Sequence, residues 1–333
     1  IVAGEGEQAT GGANALWASV NPLSATVNGV TYTSFLVTNE TIIYPDDTTK
    51  SVLLDGIGTF CHEFGHLLGL PDFYNTNGLS NIFGLDRWSI MDYGQYNNSS
   101  HTPYGYTAYE RAFMGWTKLD TLKFTKQAVK LLPLGKSNQA YCIINPADPT
   151  GNEYYILENH QSSNPWYMTG YQGKGMLIYH VQYDKTLWVN NTLNNLQDHP
   201  HLTLIPADGI LTTFKSSPGW SSYRGDPFPG RSGVTALDST TTPSDTVYIG
   251  RHMGIKMRQI RTVGDTICFY YMCEGKLDAP QLTLTPDISK CSATWAVTPN
   301  ATGYVVTLSD DKGYKKQFST TDPTFTANDL ESD

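Results

Sequence analysis

Charge is scarce in this sequence: 16% of its 333 residues are charged, and 22 Lys and Arg against 31 Asp and Glu leave a formal net charge of −9. With no basic patch, nucleic acid is not an expected partner. No run approaches the ~18 consecutive apolar residues of a membrane-crossing helix. Nothing at the start has the charged-then-apolar pattern of a signal peptide; Ile1 opens directly in a strand-like run, as in a processed chain or a fragment. The five cysteines (Cys61, Cys142, Cys268, Cys273 and Cys291) are odd in number and dispersed, so they define no disulfide framework. Cys268 and Cys273 are spaced for a pair, or else serve as small buried hydrophobes. What the chain has in quantity is Tyr (21) and Gly (30), with much Asn and Thr, the composition of a β-rich, polar-surfaced protein of the secreted kind. Its length allows a sizeable core and two or more domains.

Residues 62–72 read HEFGHLLGLPD. On a helix, H-E-x-x-H sets two imidazoles one above the other on a single face, suited to one Zn²⁺ about 2 Å from each ring nitrogen. Glu63 lies roughly 100° round the helix, beside that face, where it can act as a general base without being a ligand. Gly69 can take the left-handed conformation that ends a helix, and Pro71 cannot continue one. The chain must therefore turn after His66 and return Asp72 towards the two rings. Three protein ligands with one open position are the catalytic arrangement of zinc. The plainer reading is a core helix that happens to contain two histidines. A third reading completes the shell with Asp92 in place of Asp72.

Around the motif, Val30–Tyr44 contains two β-rich stretches. Ser51–Leu68 is expected to be the motif's helix, with Ile57, Phe60, Cys61, Phe64, Leu67 and Leu68 as a core face and the histidines on the opposite edge. A polar loop, Asn75–Asn81, and RWSIMDYG (Arg87–Gly94) follow; Tyr106–Trp116 has helical spacing and should cover the site from below. Later strands are expected at Ala140–Asn145, Glu153–Asn159, Met176–Gln182, His201–Ile205, Thr246–Ile249 and Asp265–Met272. Beyond a linker at Lys276–Pro280 the pattern fits the front of a fibronectin-type-III-like sandwich. Only about 57 residues remain where such a domain takes ~100, so its last strands are expected to be absent. The fold class expected is α+β, organised as a zinc peptidase domain (1–120), a β-rich continuation (121–275) and a partial β-sandwich (276–333).

HEFGHLLGLPDFY followed by SIMDYG resembles the metzincin pattern with its downstream Met-turn. More narrowly it is similar to the immune inhibitor A family of secreted bacterial zinc metallopeptidases, which uses Asp as third ligand. IVAGEGEQATGGANALW, EYYILENHQ, GKGMLIYHV and GDPFPGRSGVT extend the likeness over roughly Ile1–Cys273. The resemblance implies zinc held by His62, His66 and Asp72, with Glu63 taking a proton from the attacking water. It implies Met91 as a hydrophobic floor beneath the histidines, and further strands ahead of Ile1. Tyr93, in S-x-M-x-Y, is a candidate phenol for the metal or the oxyanion, or simply a packing tyrosine. The strand near Ala3–Gln8 is a candidate edge for a peptide substrate. Calcium is a second expected ion: Asp208 with Asp226, and Asn75 with Asn77, offer hard oxygen ligands in Gly-containing loops.

Other signals carry less. Gly135-Lys136-Ser137 lacks the leading Gly of a P-loop, and Gly230-Arg231-Ser232-Gly233 lacks the spacing of a nucleophile elbow. His199-Pro200-His201 reads as an exposed loop before a second metal site, and His180 as a hydrogen-bonded core histidine. The leading functional reading is a zinc endopeptidase acting on proteins or peptides outside the cell. Its rival is a vestigial peptidase whose sandwich serves adhesion or cell-surface attachment, against which the intact Glu63 argues.

Overall fold

The computed structural model describes residues 2–5, 17–42, 49, 51–78, 84–161, 173–196, 198–211, 223–274, 277, 279–287, 289–299, 301, 303–328 and 330. β1 (Val2–Glu5) comes first; β2 (Ser19–Val27) and β3 (Val30–Val37) form a hairpin. Its turn is Asn28-Gly29, with φ of 51° and 79°, the pair of left-handed residues that matches strand twist in two-residue hairpins. β4 (Asn39–Ile42) pairs parallel with β1 and antiparallel with β5 (Leu53–Leu54), which among the described residues leaves β1 at the edge. The expected substrate strand at Ala3–Gln8 coincides with this edge as far as Glu5; its last three residues lie outside the described residues.

The motif's helix, α1, spans Ile57–Leu67 and so starts later than the expected Ser51. Leu53 and Leu54 are used in β5 instead. Gly56 precedes the helix where a Cβ would stand 2.2 Å from the carbonyl carbon of Ser100. The expected face assignment is also reversed. Ile57, Phe60, Phe64 and Leu67 are exposed, while Gly58, Thr59, His62, Glu63 and Gly65 are buried. Periodicity finds an apolar stripe but not which side meets the rest of the chain. Here part of the partner surface is backbone at Gln95 and Ser100, close enough that a Cβ on Gly58 would stand 2.0 Å from the Gln95 carbonyl oxygen.

The helical stretch expected at Tyr106–Trp116 is shorter: α2 spans Ala108–Phe113 and opens with a capping box of Thr107 and Glu110. The chain continues through β6 (Asp120–Thr121), β7 (Gln127–Leu131), the single turn α3 (Leu134–Ser137), β8 (Ala140–Ile144), β9 (Glu153–His160) and β10 (Gly175–Gln182). α4 (Lys185–Val189), β11 (Leu202–Leu204), β12 (Leu237–Asp238), β13 (Lys256–Val263) and β14 (Thr266–Tyr271) follow. One sheet runs β11-β10-β9-β8-β6, another β12-β13-β14-β7. β9 and β10 are buried on both faces, which is why each reads as a continuous run rather than an alternation. Ile156, Leu177, Tyr179 and Val181 pack towards Met91 and the α2 residues Ala108 and Tyr109. Tyr155, Leu157, Met176 and Ile178 pack towards the second sheet.

Thr246–Ile249 does not form the expected strand; only Thr246 bridges, to His252. The amides of Tyr248 and Ile249 donate to the buried carboxylate of Glu153, at 2.6 and 3.0 Å, and so are withdrawn from any ladder. β7, β12 and β13 had no expected counterpart. Towards the C-terminus, β15 (Leu282–Pro286), β16 (Cys291–Trp295) and β19 (Thr324–Ala327) form one antiparallel sheet, and β17 (Tyr304–Ser309) with β18 (Lys315–Thr320) a hairpin. All five cysteines are free thiols. Among the described residues no helix is long and apolar enough to cross a membrane.

Candidate metal centre

α1 ends in a Schellman arrangement: the Leu70 amide donates to the Gly65 carbonyl and the Gly69 amide to that of His66, with Gly69 at φ +94°. This left-handed glycine turns the chain back so that Asp72 arrives beside the imidazoles. His62 Nε2 and His66 Nε2 lie 3.1 and 3.3 Å from one and the same atom, Asp72 Oδ1. Each ring's other nitrogen faces a backbone carbonyl, His62 Nδ1 that of Ile90 and His66 Nδ1 that of Leu70, both at 2.8 Å. A carbonyl only accepts, so Nδ1 carries the proton and a neutral ring presents its Nε2 lone pair inward. Asp72 Oδ1 is buried and accepts no conventional hydrogen bond. Three lone-pair atoms thus converge, and a cation is what such a donor set fits. Among the described residues, His62, His66 and Asp72 form the one group of three or more His, Cys, Asp or Glu with ligand atoms within 4.8 Å of one another. Half-buried Cys61 is not in it.

Protonation of the imidazoles is the alternative to a cation at this spot. Burial alone would raise the Asp72 pKa, but the two imidazoles beside it win and hold the carboxyl far below its usual range. Burial would lower the His66 pKa, and the Asp72 carboxylate reverses this and raises it. Glu63 is buried at the edge of the trio; desolvation raises its pKa, with His62 and His66 partly offsetting that.

Met91 is fully buried, its Sδ 2.3 Å from where a Cβ on Gly65, between the two histidines, would stand. The turn that carries it is anchored from α2: Ser89 Oγ donates to Glu110 Oε1 at 2.7 Å, and the Met91 amide donates to Ser89 Oγ at 3.0 Å. Asp92 is used differently from the alternative ligand role. It accepts from the amides of Leu85, Asp86 and Tyr93 at 2.9–3.0 Å, and so braces the turn. Tyr93 packs edge-on against Tyr96, with ring centroids 5.6 Å apart. It is Tyr74, two residues after Asp72, whose ring stacks 6.3 Å from His62 and whose hydroxyl pKa is raised by burial and then by the nearby Asp72 carboxylate.

Asn191 holds Asp72 from the far side: the Asp72 amide donates to Asn191 Oδ1 at 2.6 Å, and Asn191 Nδ2 donates to Asp72 Oδ2 at 2.7 Å. Neither Tyr74, Glu110 nor Asn191 was found from sequence. Tyr74 is one tyrosine of 21 and Asn191 lies 119 positions from Asp72; the Thr107–Glu110 spacing was the one local signal, and it marks a helix start rather than a site.

The expected calcium residues are only partly brought together. Asp208 lies beside the Asp226 segment, its Oδ2 2.0 Å from where a Cβ on Gly225 would stand. Trp88 Nε1 donates to Asp226 Oδ2 at 2.7 Å. Asn75 uses its side chain on Asn77 and the Gly78 amide, closing a turn. His180 is the core histidine expected, 2.8 Å from Glu153. His199 and His201 pack 5.1 Å apart, with ring nitrogens 2.5 and 2.8 Å from the Gln182 side-chain and main-chain oxygens.

Neither the curated proteins nor the solved structures include a significant match to the chain. Residues 1–118 match the family model described as the immune inhibitor A peptidase M6 catalytic domain, the family that the sequence resembles.

Proposed function

We propose that the chain is a zinc-dependent endopeptidase that hydrolyses peptide bonds of proteins outside the cell. The observation that carries this is the convergence of His62 Nε2, His66 Nε2 and an otherwise unsatisfied Asp72 Oδ1, in a stretch that matches a peptidase catalytic domain. His62, His66 and Asp72 would hold the ion. A zinc ion bound there supplies Lewis acidity towards the scissile carbonyl and the attacking water. Glu63 does the proton work: its carboxylate accepts the water's proton and passes it to the leaving amine. Desolvation suits it to that task, because a base with a raised pKa takes a proton more readily. The β1 edge offers backbone groups to an extended substrate. Secretion is supported by composition, and residues 276–333 would serve spacing or surface attachment. Calcium would bind at Asp208 and Asp226, where like charges oppose one another. The vestigial adhesion reading is not favoured by a stretch with both the ligand trio and Glu63.

The test is elemental analysis beside casein cleavage, for the native chain and for Glu63→Gln. The expected result is one zinc in both, with the variant's turnover lower by about 10²–10⁴-fold, the scale of general acid–base catalysis. Near-native turnover in a zinc-loaded variant would remove Glu63 from the mechanism; absence of zinc from the native chain would overturn the reading as a whole.

A further inference from the structure

The metal-centre reading leaves open what fixes Asp72, the one ligand that is not on α1. α4 is a short helix capped by Asp184, whose Oδ1 accepts from the amides of Thr186 and Leu187 at 2.7 and 3.1 Å. The residues at and just after it grip the returning turn repeatedly. Trp188 Nε1 donates to the Gly69 carbonyl at 2.9 Å, Thr76 Oγ1 to the Asn191 carbonyl at 2.7 Å, the Thr76 amide to Asn195 Oδ1 at 2.8 Å, and Asn194 Nδ2 to the Phe73 carbonyl at 2.6 Å. Within this clasp only Asn191 touches the ligand itself.

We infer that Asn191, which lies outside the family-matched residues 1–118, is the positioning residue for Asp72, the metal centre's third ligand. This rests on the metal-centre reading. The pairing is reciprocal and admits one orientation of the amide: Oδ1 must face the Asp72 N–H and Nδ2 must face its carboxylate. With Oδ2 engaged, Oδ1 is the oxygen left facing His62 and His66. The Asn191 amide therefore sets both the rotation of the carboxylate and which atom it offers, the part that outer hydrogen-bond partners of metal ligands play. Asparagine also suits the backbone, since residue 191 has φ +56°, a left-handed conformation that Asn tolerates better than most residues.

The experiment uses the full chain, with zinc affinity from competition with a chromogenic chelator and melting of the zinc-free protein as a separate readout. Asn191→Gly keeps the left-handed backbone and removes both hydrogen bonds; Asn191→Ala is the second variant should the first not fold. Asn195→Ala loosens the clasp without reaching Asp72. The expected result is zinc binding weakened about 10–100-fold in the Asn191 variants and within about twofold of native in Asn195→Ala, whatever the melting shifts. Native zinc affinity in an Asn191 variant that melts lower would make the residue merely structural and overturn the inference. An equal loss in Asn195→Ala would also overturn it, by assigning the effect to the clasp as a whole. A native chain that binds no zinc would instead remove the metal-centre reading beneath it, a result distinct from either.

Discussion

Gly65 and Met91 fit each other through the absence of a side chain: a Cβ on Gly65 would stand 2.3 Å from Met91 Sδ and 3.1 Å from its Cε. The x-x of H-E-x-x-H is therefore not free at its second position. Met91 reaches the helix backbone between the two histidines, and the turn carrying it gives its Ile90 carbonyl to His62.

Gly65→Ala should accordingly lower stability by about 1–3 kcal/mol, the usual cost of overpacking, and weaken zinc binding. Met91→Ala should cost about 2–5 kcal/mol through the cavity it leaves. The double variant Gly65→Ala/Met91→Ala should recover part of the sum, because each change makes room for the other. Denaturant melts of the four proteins measure this; strictly additive losses would mean that the two residues do not share the space.

Tyr74→Phe is expected to lower turnover about tenfold, the low end of the loss when an outer partner of a metal ligand is changed. Tyr93→Phe should change it less, because the Tyr93 ring packs against Tyr96 whereas Tyr74 lies against His62 and beside the Asp72 carboxylate. Steady-state kinetics on one peptide would decide between them. A larger loss in Tyr93→Phe would restore the role that the S-x-M-x-Y spacing suggests.

What could be read from sequence depended on whether the determinant was local. The Gly69 turn and the return of Asp72 follow from residues within eleven positions, and both are found. The strands at β8, β9, β10 and β14 were visible as apolar runs between turn residues. The burial of α1 was not, because its buried side is set by residues distant in sequence, among them Gln95 and Ser100 against Gly58 and Met91 against Gly65. Thr246–Ile249 reads as a strand until Glu153, some 95 residues away, takes its amides. Asn191 was invisible for the same reason, being one asparagine among many until the fold sets it against Asp72.

The zinc-free protein should respond to pH in two opposite senses. The Asp72 pKa is lowered by folding, so its stabilising effect is present above its unfolded value near ~3.9 and is lost as pH falls through the lower folded one. The His66 pKa is raised by folding, so its contribution is present below its unfolded value near ~6.5 and is lost as pH rises through the folded one. Stability contributed by this pair is thus greatest between those limits. Zinc needs neutral imidazoles and should reverse the alkaline arm. Melting curves from pH 4 to 9, with chelator and with zinc, test this. A zinc-induced rise in Tm that does not grow above pH 6.5 would contradict it.

Asp226 gives the last test. Its carboxyl is pushed up to about 8 by burial first, aided by the charges of Asp208 and Asp86, against which the Trp88 hydrogen bond works. A folded pKa above the unfolded ~3.9 means that the folded chain binds the extra proton between the two values. Stability from this group is therefore complete below ~4 and is lost as pH rises through about 8. Glu158, pushed up to about 7 by burial, acts in the same sense, so only a comparison isolates Asp226. Asp226→Asn keeps an oxygen for Trp88 Nε1 and removes the charge. The variant should melt near native at pH 4.5 and above native at pH 8.5, with the difference growing between. If Asp208 and Asp226 hold calcium, the ion added at pH 8.5 should raise the native Tm and leave the variant unmoved. A Tm difference independent of pH would show that the Asp226 carboxyl ionises as readily in the folded chain as in the unfolded one.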